Sequence, residues 1–183
     1  MLAVPGDDQL PVAAARAGDS AAWDALFRRY QLPLYVYVFE LLHHEQAALD
    51  AVQETFINAA RHVDSLRDDA KFGSWLFGIA HQKCAQHWRK PRREEPLDES
   101  FLEQPNDEPP PADLLIRDEQ KEELMNLLNQ LSEPHRAVLL LHFLEEFSLE
   151  EIADITDASL GTVKSRLHYA KKSLRELITE RTT

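Results

Sequence analysis

A run of prolines set among acids places the strongest limit on how this chain folds. Pro91, Pro96, Pro105, Pro109, Pro110 and Pro111 overlap a block of twelve acidic residues, Glu94 to Glu123, opposed only by Arg117 and Lys121. Proline lacks the amide donor and fixes φ, and crowded carboxylates repel, so residues 94–111 read as an extended linker and not as a packed element. The linker divides the 183 residues into segments 1–93 and 112–183. Each is small for a domain, but hydrophobic residues make up 44% of the chain, enough to give both a core.

Both segments read as helical. The chain has five glycines and no region of sustained apolar–polar alternation. Leu49, Val52, Phe56, Ala59 and Val63 recur at the spacing of a buried helical stripe, as do Phe72, Trp75, Leu76, Ile79 and Ala80. Between them "RHVDSLRDDAK" lacks a stripe and reads as a loop. Upstream, "SAAWDALFRRYQLPLYVYVFELL" is helical on both sides of Pro33, which should interrupt or kink it. The second segment opens with a helix over "DLLIRDEQKEELMNLLNQL". Ser132 then caps a helix that has Pro134 in its first turn and runs to about Leu144. The fold class is all-α, two small helical domains joined by the linker.

The end of the chain is more specific. Ser148 with Glu151 three residues on makes a capping box, starting a short helix through Ile155. "TDAS" is a tight turn in which Asp157 tolerates left-handed geometry, and Ser159 caps a final helix. That pattern is a helix-turn-helix. Leu160, Val163, Leu167, Ala170, Leu174 and Leu177 form the apolar side of the last helix, leaving Thr162, Ser165, His168, Tyr169 and Lys172 opposite, with Lys164 and Arg166 on the flanks. Cations on the flanks suit phosphates and polar side chains suit base edges in a major groove.

Charge supports a polyanion partner although the net charge is −12. Between Arg61 and Arg93 eight basic residues face only Asp64, Asp68 and Asp69, and from Leu160 onward six face Glu176 and Glu180. Other chemistries find little support. There is no phosphate-binding glycine loop, catalytic triad context or zinc-protease motif, so no enzyme, cofactor or catalytic residue is expected. His81, Cys84 and His87 spread over about 120° of a helix, and a fourth ligand would have to come from elsewhere, such as His43 or His44, so no metal is expected. The start "MLAVPGDDQL" has no signal-peptide character and no run is long enough for a membrane span, so a soluble cytoplasmic protein without membrane insertion is expected.

"LSEPHRAVLLLHFLEEFSLEEIADITDASLGTVKSRLHYAKKSLREL" resembles region 4 of bacterial sigma factors of the extracytoplasmic-function (ECF) group. "DAVQETFINAARHVDSL" followed by "FGSWLFGIAHQKCAQHWRK" resembles their region 2. The resemblance implies a subunit that gives core RNA polymerase its promoter specificity. Region 2 (1–93) would bind the polymerase clamp and open a partly single-stranded −10 element; region 4 (112–183) would bind the flap and read a double-stranded −35 element. Asp50, Gln53 and Glu54 share one helix face and fall at the polymerase-binding position. Leu66, Arg67, Asp68, Asp69 and Lys71 match the −10 specificity loop. Gln82 falls at the pocket for an extruded base, where relatives often carry asparagine, and Lys83, Arg89 and Lys90, with Arg92 and Arg93, would meet phosphates. Trp75 belongs to the core stripe, whereas Trp88 is more open to DNA. The −35 set is Ser159, Thr162, Lys164, Ser165, Arg166, His168, Tyr169 and Lys172. Whether an anti-sigma factor also binds stays open. Two readings from other classes remain: a dimeric helix-turn-helix regulator acting without polymerase, which leaves "VQETF" idle, and a protein adaptor, which would lack salt-dependent DNA affinity.

Overall fold

The computed structural model describes residues 10–89 and 125–182, and every regular element among them is helical. The linker and most of the helix expected before Met125 lie outside the described residues. Helix α1 (Val12–Arg16) ends at Gly18, whose φ of 89° suits a residue without Cβ. Helix α2 (Ser20–Leu42) is capped by the Asp19 carboxylate, which accepts from the amides of Ala21 and Ala22. The interruption expected at Pro33 does not occur, for α2 runs through it over 23 residues. Pro33 is itself buried beside Tyr30, Leu34, Tyr37 and Val38, and that apolar burial offsets the lost backbone bond.

Helix α3 (Glu45–His62) buries Val52, Phe56 and Ala59 as its spacing predicts. Leu49 departs from expectation: it is 46% exposed, and Ala48 is buried in its place. At about 100° per residue the two flank the stripe almost equally, and the smaller side chain takes the side that packs. The segment read as a loop forms two 3-10 turns, Val63–Ser65 and Asp69–Lys71, leading into α4 (Phe72–Arg89). Leu26, Leu34, Tyr37, Phe72, Leu76 and Phe77 fill the centre of this first domain.

In the second domain a turn of helix at 125–128 precedes α5 (Glu133–Phe143). Ser132 stands at the N-cap with extended geometry, though its side chain makes no capping bond. Helix α6 (Leu149–Thr156) carries the full capping box: Glu151 N donates to Ser148 Oγ at 3.2 Å, and Ser148 N donates back to Glu151 Oε2 at 2.9 Å. Asp157 closes α6 at φ 49°, and α7 (Leu160–Thr182) begins with Thr162 N donating to Ser159 Oγ at 3.1 Å. Val163, Leu167 and Ala170 of α7 meet Ile152, Ile155, Val138 and Leu141 in the core. The helix-turn-helix is formed.

The two domains pack on each other. Helix α4 lies along α6, and the Ile155 Cα is 3.8 Å from where a Cβ on Gly78 would stand. Phe77 and Phe147 meet edge-on with ring centroids 5.1 Å apart. Arg136 of α5 is 5% exposed and gathers carbonyls from both sides. It donates to Leu128, Asn129 and Leu131 at 3.0 Å each, to Glu40 at the end of α2 at 2.9 Å, and contacts the His43 ring. Glu145 is 7% exposed at the same seam, and neither carboxylate oxygen has a hydrogen-bond partner among the described residues. Glu146 beside it takes φ 58°, the turn that leads from α5 into α6.

Candidate nucleic-acid and partner interfaces

The recognition candidates on α7 divide as their spacing predicts. Val163, Leu167 and Ala170 are buried, while Thr162, Lys164, Ser165, His168, Tyr169 and Lys172 are exposed. Arg166 is half-buried on the flank, close enough to α4 that its charge, after burial itself, helps push the His81 pKa down to about 4. Ser159 and Thr162 share a hydroxyl hydrogen bond of 2.8 Å at the helix start, so their oxygens serve the cap as well as the surface. The His168 and Tyr169 rings meet edge-on at 5.5 Å, and Tyr169 is 56% exposed. A large polar-tipped aromatic held open to solvent at the centre of a basic helix suits a groove floor.

The loop at 66–71 presents Arg67, Asp68 and Lys71 outward, with the Leu66 side chain buried and Asp69 half-buried. Asp68 is occupied in part by the turn, since Ala70 N donates to its Oδ1 at 3.1 Å. Arg16 of α1 reaches across: its Nη2 donates to Leu66 O at 3.1 Å and to Asp69 Oδ1 at 2.6 Å. Sequence reasoning missed Arg16 because the contact spans fifty residues and no local pattern marks it. On α4, Gln82 is exposed and Lys83 half-buried. The Arg89 side chain and Lys90 lie outside the described residues. Trp88 donates its indole N–H to Leu41 O at 3.4 Å and meets the His81 ring edge-on, so its ring is tied into the first domain. Cys84 is fully buried and its thiol pushed up to about 12 by that burial, in keeping with a structural role. Trp75 packs against Phe72 in the core.

Asp50, Gln53 and Glu54 are exposed together on α3. Asp50 accepts from Gln46 at 3.0 Å, and Glu54 accepts from Lys83 Nζ at 2.6 Å, which joins the polymerase-binding and −10 candidates directly. Gln53 also edges an apolar groove between α2 and α3, lined by Phe27, Leu32, Tyr35, Leu49 and Ile57. Ile57 could have been found from sequence, since it follows Gln53 by four residues and falls beside the buried stripe. A second apolar groove runs between α5 and α7, where Phe143 is 57% exposed and Lys171 Nζ sits 5.0 Å from its ring centroid.

Comparison with known proteins bears on both halves. Residues 26–94 match the family model "Sigma-70 region 2", and residues 121–174 match "Sigma-70, region 4". The RNA polymerase sigma-H factor of Pseudomonas aeruginosa is 32% identical, over 95% of this chain and 94% of its own. The chain belongs to the sigma-70 family of RNA polymerase sigma factors. Its ECF character is equally plain: the ECF RNA polymerase sigma-E factor of Salmonella typhimurium is 31% identical over 91% of this sigma factor and 92% of the relative. A solved structure of the sigma factor RpoE in complex with the anti-sigma factor NepR, from Bartonella quintana, is 26% identical. It superposes with a TM-score of 0.62 over 85% of this chain and 97% of that one. CnrH, in complex with the cytosolic domain of CnrY, shares the fold with a TM-score of 0.69 at 22% identity, covering 92% and 95%. This ECF sigma factor therefore directs RNA polymerase to promoters. No helix among the described residues is long and apolar enough to cross a membrane.

Proposed function

We propose that this sigma factor divides promoter recognition between its two domains, residues 1–93 serving the −10 element and residues 112–183 the −35 element, with 94–111 between them. The observation that carries this reading is the exposed, acid-free face of α7 from Thr162 to Lys172, set on a capped helix-turn-helix. The −10 assignment rests on the outward Arg67, Asp68 and Lys71, with Leu66 buried and Asp69 half-buried in the same loop, and on Gln82 and Lys83 further along α4. Arg89 and Lys90 extend that basic run. The protein acts in the cytoplasm, where polymerase and promoter DNA are found, and its function needs no catalytic step. An anti-sigma factor is a further partner, since the similar sigma factor RpoE of Bartonella quintana is found in complex with the anti-sigma factor NepR.

Within α7 the roles separate. Replacing Lys164 with alanine should weaken −35 binding almost uniformly and lower the magnitude of the salt slope by about one. Replacing Ser165 or His168 should change which bases are preferred, at roughly 1–3 kcal/mol for a strong contact. Selection from a randomised −35 library reads both, and a consensus shifted by Lys164→Ala alone would place the helix in another rotation.

Polymerase binding is assigned to Asp50, Gln53 and Glu54 together with the neighbouring apolar groove, a polar edge beside exposed Leu49 and Ile57 that fits an amphipathic helical partner. The double variant Gln53→Ala, Glu54→Ala should lower affinity for core polymerase about tenfold or more. Core polymerase titrated against labelled sigma factor measures it, and unchanged binding would move the interface elsewhere. The groove between α5 and α7 is the corresponding docking surface for the flap.

A further inference from the structure

We propose that Arg16 is a positioning residue for −10 recognition: one guanidinium nitrogen, anchored on α1, fixes the two docked points of the 66–71 loop and so sets the direction of the residues between and beyond them. The proposal rests on the assignment of that loop to the −10 element.

Geometry carries the inference. The loop has few restraints of its own: Leu66 N donates to Val63 O at 3.1 Å, Lys71 N to Asp68 O at 3.0 Å, and Ser74 Oγ to Lys71 O at 3.1 Å, all within three residues. Such local bonds shape each turn but leave the direction of the whole loop to longer-range contacts. Arg16 Nη2 supplies two, one at the start of the loop and one at its middle, donating to Leu66 O at 3.1 Å and to Asp69 Oδ1 at 2.6 Å. Between these points stand Arg67 and Asp68, both exposed, and just beyond them exposed Lys71. A planar guanidinium holds two acceptors in fixed relation, as a flexible ammonium does not.

The anchor beneath Arg16 is firm. Val12 and Ala15 are buried, and Trp23 Nε1 of α2 donates to Ala15 O at 2.9 Å, one residue from the arginine. The same Trp23 ring meets Phe72, the first residue of α4, edge-on at 6.4 Å. Both the residue that holds the loop and the helix that follows it are thus referred to one indole. Arg16 itself points at the back of the loop, with its side chain 31% exposed, so its effect on bases is indirect.

The test uses full-length sigma factor with core polymerase on a promoter library randomised at the −10 element, comparing wild type, Arg16→Ala and Arg16→Lys. Open complexes are scored by permanganate reactivity of unpaired thymines and by sequencing the selected promoters. Arg16→Ala should flatten discrimination among −10 bases about tenfold, while core affinity and binding to a −35 duplex stay at wild-type levels. Arg16→Lys, which keeps the charge but not the fork, should recover part of that discrimination, and it carries the test alone should the alanine variant fold poorly. Unchanged −10 preference in both variants, or a loss shared equally by all sequences, overturns the proposal. With Arg16 intact, a −10 preference untouched by Arg67→Ala and Lys71→Ala overturns the loop assignment on which it stands, a different and separately visible failure.

Discussion

Arg136→Ala should destabilise the protein by about 3 kcal/mol or more, a large effect for one side chain. The guanidinium donates to four carbonyls, those of Leu128, Asn129 and Leu131 in the approach to α5 and that of Glu40 in the first domain. Removing it leaves those acceptors facing a cavity where a charged donor had satisfied them, and hydrogen bonds from a charged group are the costly ones to lose. Lysine should restore less than half, because an ammonium cannot present the same planar set of donors. Urea unfolding of the two variants against wild type measures it. A loss within about 0.5 kcal/mol, the usual range for a surface change, would mean that the carbonyls find water and that Arg136 does not organise the seam.

The second large effect depends on pH. Burial at the seam raises the Glu145 carboxyl to about 7 from its ordinary 4.5, and burial, helped by the Arg166 charge, lowers His81 to about 4 from 6.5. The groups described around them are Tyr37, whose hydroxyl lies 2.8 Å from His81 Nδ1, and the Cys84 thiol; burial, with smaller effects from Cys84 and Glu145, raises Tyr37 well above its usual value. The signs oppose. Between pH 4.5 and 7 folded Glu145 keeps a proton that the unfolded chain releases, so its contribution falls as pH rises. Folded His81 refuses a proton that the unfolded chain accepts, so its contribution falls as pH drops from 6.5 through 4. The two slopes partly cancel in the wild type.

Glu145→Gln removes one of them. The variant should be more stable than wild type at pH 8, by roughly 2–3 kcal/mol, and nearly equal to it at pH 4.5. It should also lose stability on acidification below pH 6.5 more steeply than the wild type does. Unfolding free energies of both proteins across pH 4.5–8 give the difference curve, in which titrations common to both cancel. A flat difference curve would mean that Glu145 reaches solvent when ionised.

These two residues mark where sequence reading stops. The capping box at Ser148 and Glu151, the left-handed Asp157 and the buried side of α7 were legible because each is a contact within a few residues, governed by helix geometry and local hydrogen bonding. Arg136 reaches Glu40 across 96 positions, and Arg16 reaches Asp69 across 53. A charged residue in a helical segment looks solvated until the element beside it is known. Glu145 sits in "LEEF", where the pair of acids gives no sign that one turns inward. Leu49 went the other way: periodicity placed it on the buried stripe, and the choice between Ala48 and Leu49 belonged to the packing of α2. The exposure of the candidate residues on α3 and α7 was legible because a helix exposes whole faces, whereas what fixes the direction of the 66–71 loop is assembled from distant parts of the chain.

The packing of α4 on α6 has a consequence for how strongly this protein can act. Two promoter elements named for positions −35 and −10 are some 25 base pairs apart, about 85 Å of duplex at 3.4 Å per pair. Helices in van der Waals contact at Gly78 and Ile155 cannot serve both ends of that span at once. On the proposed division of −10 and −35 recognition between the two domains, engagement of both elements draws on the separated form alone, and the apparent affinity is the intrinsic affinity scaled by the fraction of molecules already apart. A seam that kept about one molecule in a hundred open would weaken simultaneous engagement of the two elements about a hundredfold with every recognition residue intact. On that division of labour the strength of the seam, to which the Phe77–Phe147 contact contributes, would act as a gain setting on transcription, adjustable by substitutions that touch neither DNA nor polymerase.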